Sequence, residues 1–467
     1  MEYLLSKIYL KGDKIIWRVI IFLFLFSTLV VFASADNIAA VNGYQHGAYW
    51  YFIQHLGFFA GGFILIFIFH RFPVAVYKNF ATLVLIVSIG LLLYTSMYGK
   101  EINEAKRWIS IAGIRFQPAE IAKMSVVLYL ASVLEDNVFD DFRDVVKKIV
   151  LPVGTVCLLV FIEGTSIGLL FGVICISILF IGGLKLKFLF KILGLALIAL
   201  VVLCISGITI GWPDRIATAA SRLTDFSFIV IVSLLGITGM LLLLFVSSKL
   251  KHLFKICGLA LAALVLLFVL GLAFHWSPAV AVADKIENVF KKNENKNTGI
   301  TQADRGKIAV ASGGLLGKGP GNSSQRYLLP YSYSDFVFAI IVEEYGLVTG
   351  SLILLAYMVL LYRAAIIAKK CTRIFSSVTV LGLMLMIVFQ AMVNMGVSVG
   401  IFPVTGQTLP FVSHGGTSIL CTGITFGIIL SVSRAANNQE ISKQEDDENG
   451  KKYMPNGAGE KITEYNE

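Results

Sequence analysis

Runs of about 20 largely apolar residues recur along this chain of 467 residues, from Ile15 to Arg434. A helix of that length can cross a bilayer because it satisfies every backbone polar group within itself. Only 15% of the residues are charged and 57% are hydrophobic, whereas ordinary soluble domains carry about 25% charged residues. The chain is therefore read as all-α, a polytopic membrane helix bundle with no room for a large soluble domain. Spans are expected near 15–35, 48–69, 76–96, 117–134, 147–162, 165–183, 188–210, 228–247, 252–274, 335–362, 373–398 and 408–433, about 12 in all. The junction near Glu163 reads either as a turn between two spans or as one broken helix.

Charge sets the expected orientation. The net charge of +10 is read as positive-inside bias and not as a nucleic-acid surface. With the N-terminus inside, the inner loops are 70–78, 135–148, 184–191, 247–255 and 362–373, and each carries Lys or Arg. Both termini are then cytoplasmic, and the polar segment 435–467 reads as a disordered tail. Lys7, Lys11 and Lys14 before an apolar run ending in Ala33-Ser34-Ala35 resemble a signal peptide. That run exceeds the usual signal core of roughly 7–15 residues, so a retained first span is expected. The six cysteines form no C-x-x-C pair and the six histidines no H-x-x-x-H, so no metal site is assigned.

One local repeat stands out. Lys185-Leu-Lys-Phe-Leu-Phe-Lys-Ile-Leu-Gly-Leu-Ala-Leu returns as Lys249-Leu-Lys-His-Leu-Phe-Lys-Ile-Cys-Gly-Leu-Ala-Leu, and the offset holds through Trp212 and Trp276. A duplicated pair of spans preserves topology, because two added crossings return the chain to the same side.

Three polar segments interrupt the apolar sequence. The first ends the long outer loop expected over 277–334: glycines at 313, 314, 317, 319 and 321, with Lys318, Ser323, Gln325 and Arg326, lead to Asp335 and then to Glu343 and Glu344. Glycine-rich backbone can approach an anionic oxygen closely; a flexible linker is the plainer reading. Asp335 meets an apolar helix at its outer end, where it is either an N-cap or a base at the membrane surface. The second segment carries Lys106, Arg107, Arg115, Gln117, Pro118, Glu120 and Lys123. Glu120 and Lys123, three apart, share a helix face, as an internal ion pair or with Lys123 meeting an anionic partner elsewhere. The third runs from Asn394 to Ser418 and contains Pro403, Pro410, Ser413 and His414. Its broken backbone suits a cavity lining, and His414 alone reads as a structural residue.

Together these segments resemble the FtsW/RodA/SpoVE (SEDS) family. Gln117-Pro-Ala-Glu120-x-x-Lys123 is similar to its Q-P-S-E-x-x-K element. Gly317-x-Gly-x-Gly-x-Ser323-x-Gln325 with Pro330 and Ser334-Asp335-Phe is similar to its G-x-G-x-G-x-S-x-Q and P-x-x-x-T-D-F elements. Pro403-Val-Thr-Gly-x-x-Leu-Pro410-Phe-x-Ser413-x-Gly-Gly-x-Ser418 is similar to P-V-T-G and S-x-G-G-S-S. The resemblance lies closer to the division type, FtsW, than to RodA. It departs from the family in span number (the family has about 10, so the repeat is an addition), in Ser334 for threonine, and in Glu163-Gly-Thr-Ser where P-D-x-G is expected.

The resemblance implies a peptidoglycan glycosyltransferase of the cytoplasmic membrane, enriched at the septum, that polymerises lipid II. Its implied partners are a class B penicillin-binding transpeptidase, other divisome proteins and membrane lipids. It makes Asp335 the catalytic residue. Substrate binding falls to Lys106, Arg107, Glu120, Lys123, Gly317, Gly319, Gly321, Ser323, Gln325, Arg326, Ser413 and His414, with Lys123, Lys106, Arg107 or Arg326 facing the leaving pyrophosphate. No cofactor is identified, and assistance by a divalent cation is left open. A lipid-linked-precursor flippase and a noncatalytic division scaffold are the rival readings.

Overall fold

The computed structural model describes residues 12–41, 46–102, 105–111, 114–196, 199, 302–329, 332–402 and 404–452. It is a helix bundle: α1 Lys14–Val41, α2 Ala48–Arg71, α3 Val74–Tyr98, α4 Pro118–Asp136, α5 Phe142–Glu163, α6 Thr165–Ile181, α7 186–196, α8 Gln302–Gly313, α9 Val337–Lys370, α10 Ile374–Ser398 and α11 Gly416–Lys452. Seven of these, α1, α2, α3, α5, α9, α10 and part of α11, are long and apolar enough to cross a membrane. The expected spans 228–247 and 252–274, and most of 188–210, lie outside the described residues, as does the repeat's second copy.

The sequence dictates several of the helix ends. Asp13 caps α1 by accepting from Ile15 N at 2.9 Å and Ile16 N at 3.0 Å. Pro118 stands in the first turn of α4, where no N–H is needed. The Glu163–Gly164 junction is a turn between two helices and not a kink in one: Gly168 of α6 lies against the backbone of Phe161 in α5, with no room for a Cβ.

Burial separates core from periphery. Helices α4 and α10 are buried almost all round, whereas α3 turns Phe80, Leu83, Ile86 and Leu93 outward, the apolar face expected against lipid. Helices α2 and α11 approach through small residues: Gly62 and Gly423 touch backbone to backbone, as is common between membrane helices. Helix α1 belongs to this bundle, with Ile16, Ile20, Leu23 and Val30 in its core.

Ion pairs identify one end of the bundle. Asp13 pairs with Arg363, Lys78 with Glu135 at 2.8 Å, Lys185 with Asp140 at 2.7 Å and Lys370 with Glu440 at 2.6 Å. The expected inner loops 70–78, 135–148 and 362–373 fall here, together with the start of α1; of the expected loop 184–191 only 184–185 lie outside helix, and the expected loop 247–255 lies outside the described residues. The opposite end carries the 163–164 turn, α8 and residues 314–329, 332–336, 399–402 and 404–415.

Two features correct the expectation. A three-stranded antiparallel sheet, order β1-β2-β3 (Lys100–Ile102, Ala105–Ile111, Ile114–Phe116), joins α3 to α4. Its alternating pattern buries Ile109 and exposes Ser110. Helix α11 runs on through Lys452, so the tail expected to be disordered from 435 begins as helix, fastened by Glu440 to Lys370. The described part of the segment expected as the outer loop, 277–334, contains α8, whose Gly306 lies against Phe336 and Ser398 O.

Candidate functional site

Asp335 sits in the turn just before α9, at the end of the bundle opposite the N-terminal start of α1. Three contacts hold that turn. Asn394 Nδ2, from α10, donates to Asp335 O at 3.0 Å and to Gln407 O at 2.7 Å. Ser413 Oγ donates to Ser334 O at 2.7 Å, and His414 N to Tyr333 O at 3.0 Å. Ser334 Oγ donates to Asp335 Oδ1 at 3.0 Å. Oδ2 is left facing Gly406: a Cβ there would lie 3.6 Å from it and 3.4 Å from Arg107 Nη1. The carboxylate and the guanidinium therefore flank one glycine, which at φ +67 adopts a conformation that suits glycine. Burial raises the Asp335 pKa, while Ser334 and Arg107 pull it back down.

Arg107 comes from β2. Its Nε donates to Glu163 O at 2.7 Å, and Gly164 leaves the guanidinium room: a Cβ there would meet Nη2 at 3.3 Å. Burial lowers the Arg107 pKa, and Glu163 and Asp335 raise it. Glu163 is 7% exposed, and neither carboxylate oxygen has a hydrogen-bond partner among the described residues.

Gly406→Ala should place a methyl group between Asp335 and Arg107 and strain the backbone. Turnover is expected to fall at least tenfold, about 1.4 kcal/mol in barrier, with folding yield reduced far less. Activity and thermal unfolding of the same purified sample check this.

The other residues singled out in the sequence are engaged elsewhere. Lys123 Nζ binds Glu120 at 2.8 Å and reaches the side-chain oxygens of Gln407 at 3.4 Å and Gln390 at 3.5 Å. It is thus an internal ion pair bound to the loop behind Asp335, at the head of a narrow, mostly apolar cavity lined by Ile167, Phe171 and Phe389. Lys106 lies on β2, next to Arg107 in the chain.

The glycine-rich loop does bind carboxylate oxygen, but that of its own chain. Glu343, with no exposed surface, accepts from Lys318 Nζ at 2.7 Å, Ser324 Oγ at 2.8 Å, Ser324 N at 3.0 Å, Gln325 N at 3.4 Å and Ser323 Oγ. Glu344 accepts from Gly321 N at 3.2 Å and pairs with Arg326. Gly317 and Gly319 run along the backbone where α9 breaks at Gly346 (φ 83), and Gly319 N donates to Glu344 O at 2.9 Å. Of the cations offered for a pyrophosphate, Lys123 and Arg326 are therefore paired inside the fold, and among the described side chains Arg107 lies beside Asp335. Asn394, Gln407, Glu163 and Gly406 were not singled out as site residues. A buried amide at membrane depth is the signal that points to Asn394.

Known proteins are similar to this chain along most of its length. The profile of the cell cycle protein family FtsW/RodA/SpoVE matches in two consecutive pieces, residues 14–227 and 224–438. The chain belongs to the FtsW/RodA/SpoVE family. The two pieces meet at residues 224–227, between Trp212 of the repeat's first copy and Lys249 of its second. Family relatives include the probable peptidoglycan glycosyltransferase FtsW of Hydrogenovibrio crunogenus, 27% identical over 91% of this chain and 92% of its own. Another is the peptidoglycan glycosyltransferase MrdB of Escherichia coli, 29% identical over 90% and 93%. Among solved structures, a chain from a study of a peptidoglycan synthase complex that coordinates polymerization and crosslinking aligns with TM-score 0.57 at 20% identity, covering 91% of this chain and 98% of that one. The rod shape determining protein RodA of Thermus thermophilus aligns with TM-score 0.54 at 20% identity, over 91% and 98%. The FtsW/RodA/SpoVE fold is thus the fold of this bundle.

Proposed function

We propose that this chain is a peptidoglycan glycosyltransferase that polymerises lipid II at the outer face of the cytoplasmic membrane, with Asp335 as the base. The observation that carries this reading is the Asp335 carboxylate set across Gly406 from an arginine whose Nη groups make no hydrogen bond among the described residues. A sugar 4-hydroxyl is a weak nucleophile. Asp335 Oδ2 takes its proton as the oxygen bonds to the anomeric carbon of the second substrate. The bond from that carbon to the pyrophosphate oxygen breaks, and the pyrophosphate leaves with the electron pair. Arg107 Nη1 and Nη2 then hold the charge that develops, which favours the transition state over the ground state.

Sidedness follows from the loops. The end holding Arg71, Lys78, Lys148, Lys185, Lys370 and Arg434 is assigned to the cytoplasm, which puts Asp335 outside. A role in septal synthesis follows the FtsW-named relatives, and a class B penicillin-binding transpeptidase is the proposed partner. The full-length protein reconstituted with lipid II tests the reading. Polymer formed by the native protein and lost in Asp335→Asn supports it. Transbilayer movement of lipid II without polymer supports a flippase instead.

Arg107→Gln removes the positive charge that favours ionised Asp335. The Asp335 pKa should rise further, so the acid limb of the rate profile should move to higher pH as well as losing height. The measurement is polymerisation rate against pH for both proteins. An unmoved acid limb would separate Arg107 from Asp335.

A further inference from the structure

A buried polar chain leads from the centre of the bundle to His414. Ser27 of α1 and His55 of α2 have no exposed surface. Ser27 Oγ lies 2.9 Å from Val412 O and 3.1 Å from His55 Nε2, and His55 Nδ1 lies 3.2 Å from His414 Nδ1. A hydroxyl has one proton to donate, and a carbonyl can only accept. Ser27 therefore donates to Val412 O and accepts from His55 Nε2–H. That leaves His55 Nδ1 bare in the neutral ring, so it must accept, and the donor facing it is His414 Nδ1–H. The consequence is a bare Nε2 on His414, a residue only partly covered by protein. Its ring stands edge-on to Tyr333 at 5.9 Å. Its backbone N–H holds the turn that carries Asp335.

We propose that His414, fixed as its Nδ1–H tautomer by His55 and Ser27, presents Nε2 as an acceptor for a hydroxyl or amide N–H of a lipid-linked amino sugar beside the Asp335 turn. A free imidazole can carry its proton on either nitrogen. An imidazole whose tautomer is set by its neighbours offers the acceptor without first rearranging. The nature of the ligand rests on the proposed polymerase reading; the tautomer does not.

Two measurements on the reconstituted full-length chain test the inference. Nitrogen-15 NMR of labelled histidine, assigned by difference from His414→Gln, should show His414 protonated at Nδ1; protonation at Nε2 overturns the inference. In lipid II polymerisation, His414→Phe should raise KM about tenfold, the loss of one good hydrogen bond, with kcat changed less than about threefold. His414→Gln should recover most of it, because its side-chain oxygen can take the place of Nε2. Ser27→Ala, out of reach of any substrate, should raise KM in the same direction by releasing the tautomer. An unchanged KM in His414→Phe, or a fall in kcat alone, overturns the substrate contact. If Asp335→Asn polymerises normally, the polymerase reading fails while the tautomer result stands.

Discussion

Replacing Asp335 by asparagine is expected to lower lipid II polymerisation by about 10²–10⁴-fold, the range for a lost general base, without loss of the folded protein. The side chains are nearly equal in size, and the turn is held by Asn394, Ser413 and His414 through the backbone of Tyr333, Ser334 and Asp335. The stability arm has a definite sign. Burial raises the Asp335 pKa above its unfolded value, so the folded state binds this proton more tightly. Its contribution to stability is complete below the unfolded pKa and is lost as pH rises through the folded one. At neutral pH the ionised carboxylate is a cost to folding, and Asp335→Asn should unfold at the same temperature as the native protein or higher. The activity of the native enzyme should follow the opposite limb, falling as pH drops through the raised pKa because a protonated carboxyl accepts no proton. Equal activity in the asparagine variant, at any pH between 6 and 8, would remove Asp335 from the chemistry.

The bundle was legible in the sequence because hydrophobic length is a local property. Spans read at 48–69, 76–96 and 373–398 are the helices Ala48–Arg71, Val74–Tyr98 and Ile374–Ser398. The sheet was not legible because its strands are short and the charges of Lys106 and Arg107 obscure the alternation of Arg107, Ile109 and Ile111 against Lys106, Trp108 and Ser110. The site was legible by residue type and not by partner. Asp335 and Arg107 stand far apart in sequence, and what joins them is the passage of Gly406 between them, a tertiary fact with no local signature. The same limit explains the glycine-rich loop. Its cations and N–H groups suit an anion, but sequence alone could not say that the anion is supplied by Glu343 and Glu344 a short way along the chain.

That internal capture leads to the largest expected effect on stability. Glu344 is 1% exposed and Arg326 3% exposed, and they pair with each other. Glu344→Ala would leave the Arg326 guanidinium buried without its counter-charge and Gly321 N without its acceptor. Breaking one side of a buried pair costs about 3–5 kcal/mol, enough to remove much of the stability of an ordinary domain. Replacing both partners by apolar residues of similar size, Glu344→Leu with Arg326→Met, leaves no uncompensated charge. It should recover most of the loss, short of what Arg326 gains from Ala33 O. Thermal unfolding of the three proteins in one detergent gives the comparison. A structural pair predicts a large drop for the single variant and recovery in the double. If Arg326 instead held the substrate pyrophosphate, Glu344→Ala would fold normally, and the double variant would lose affinity for lipid II while keeping its stability. The two outcomes cannot be confused, because one is read in the absence of substrate and the other only in its presence.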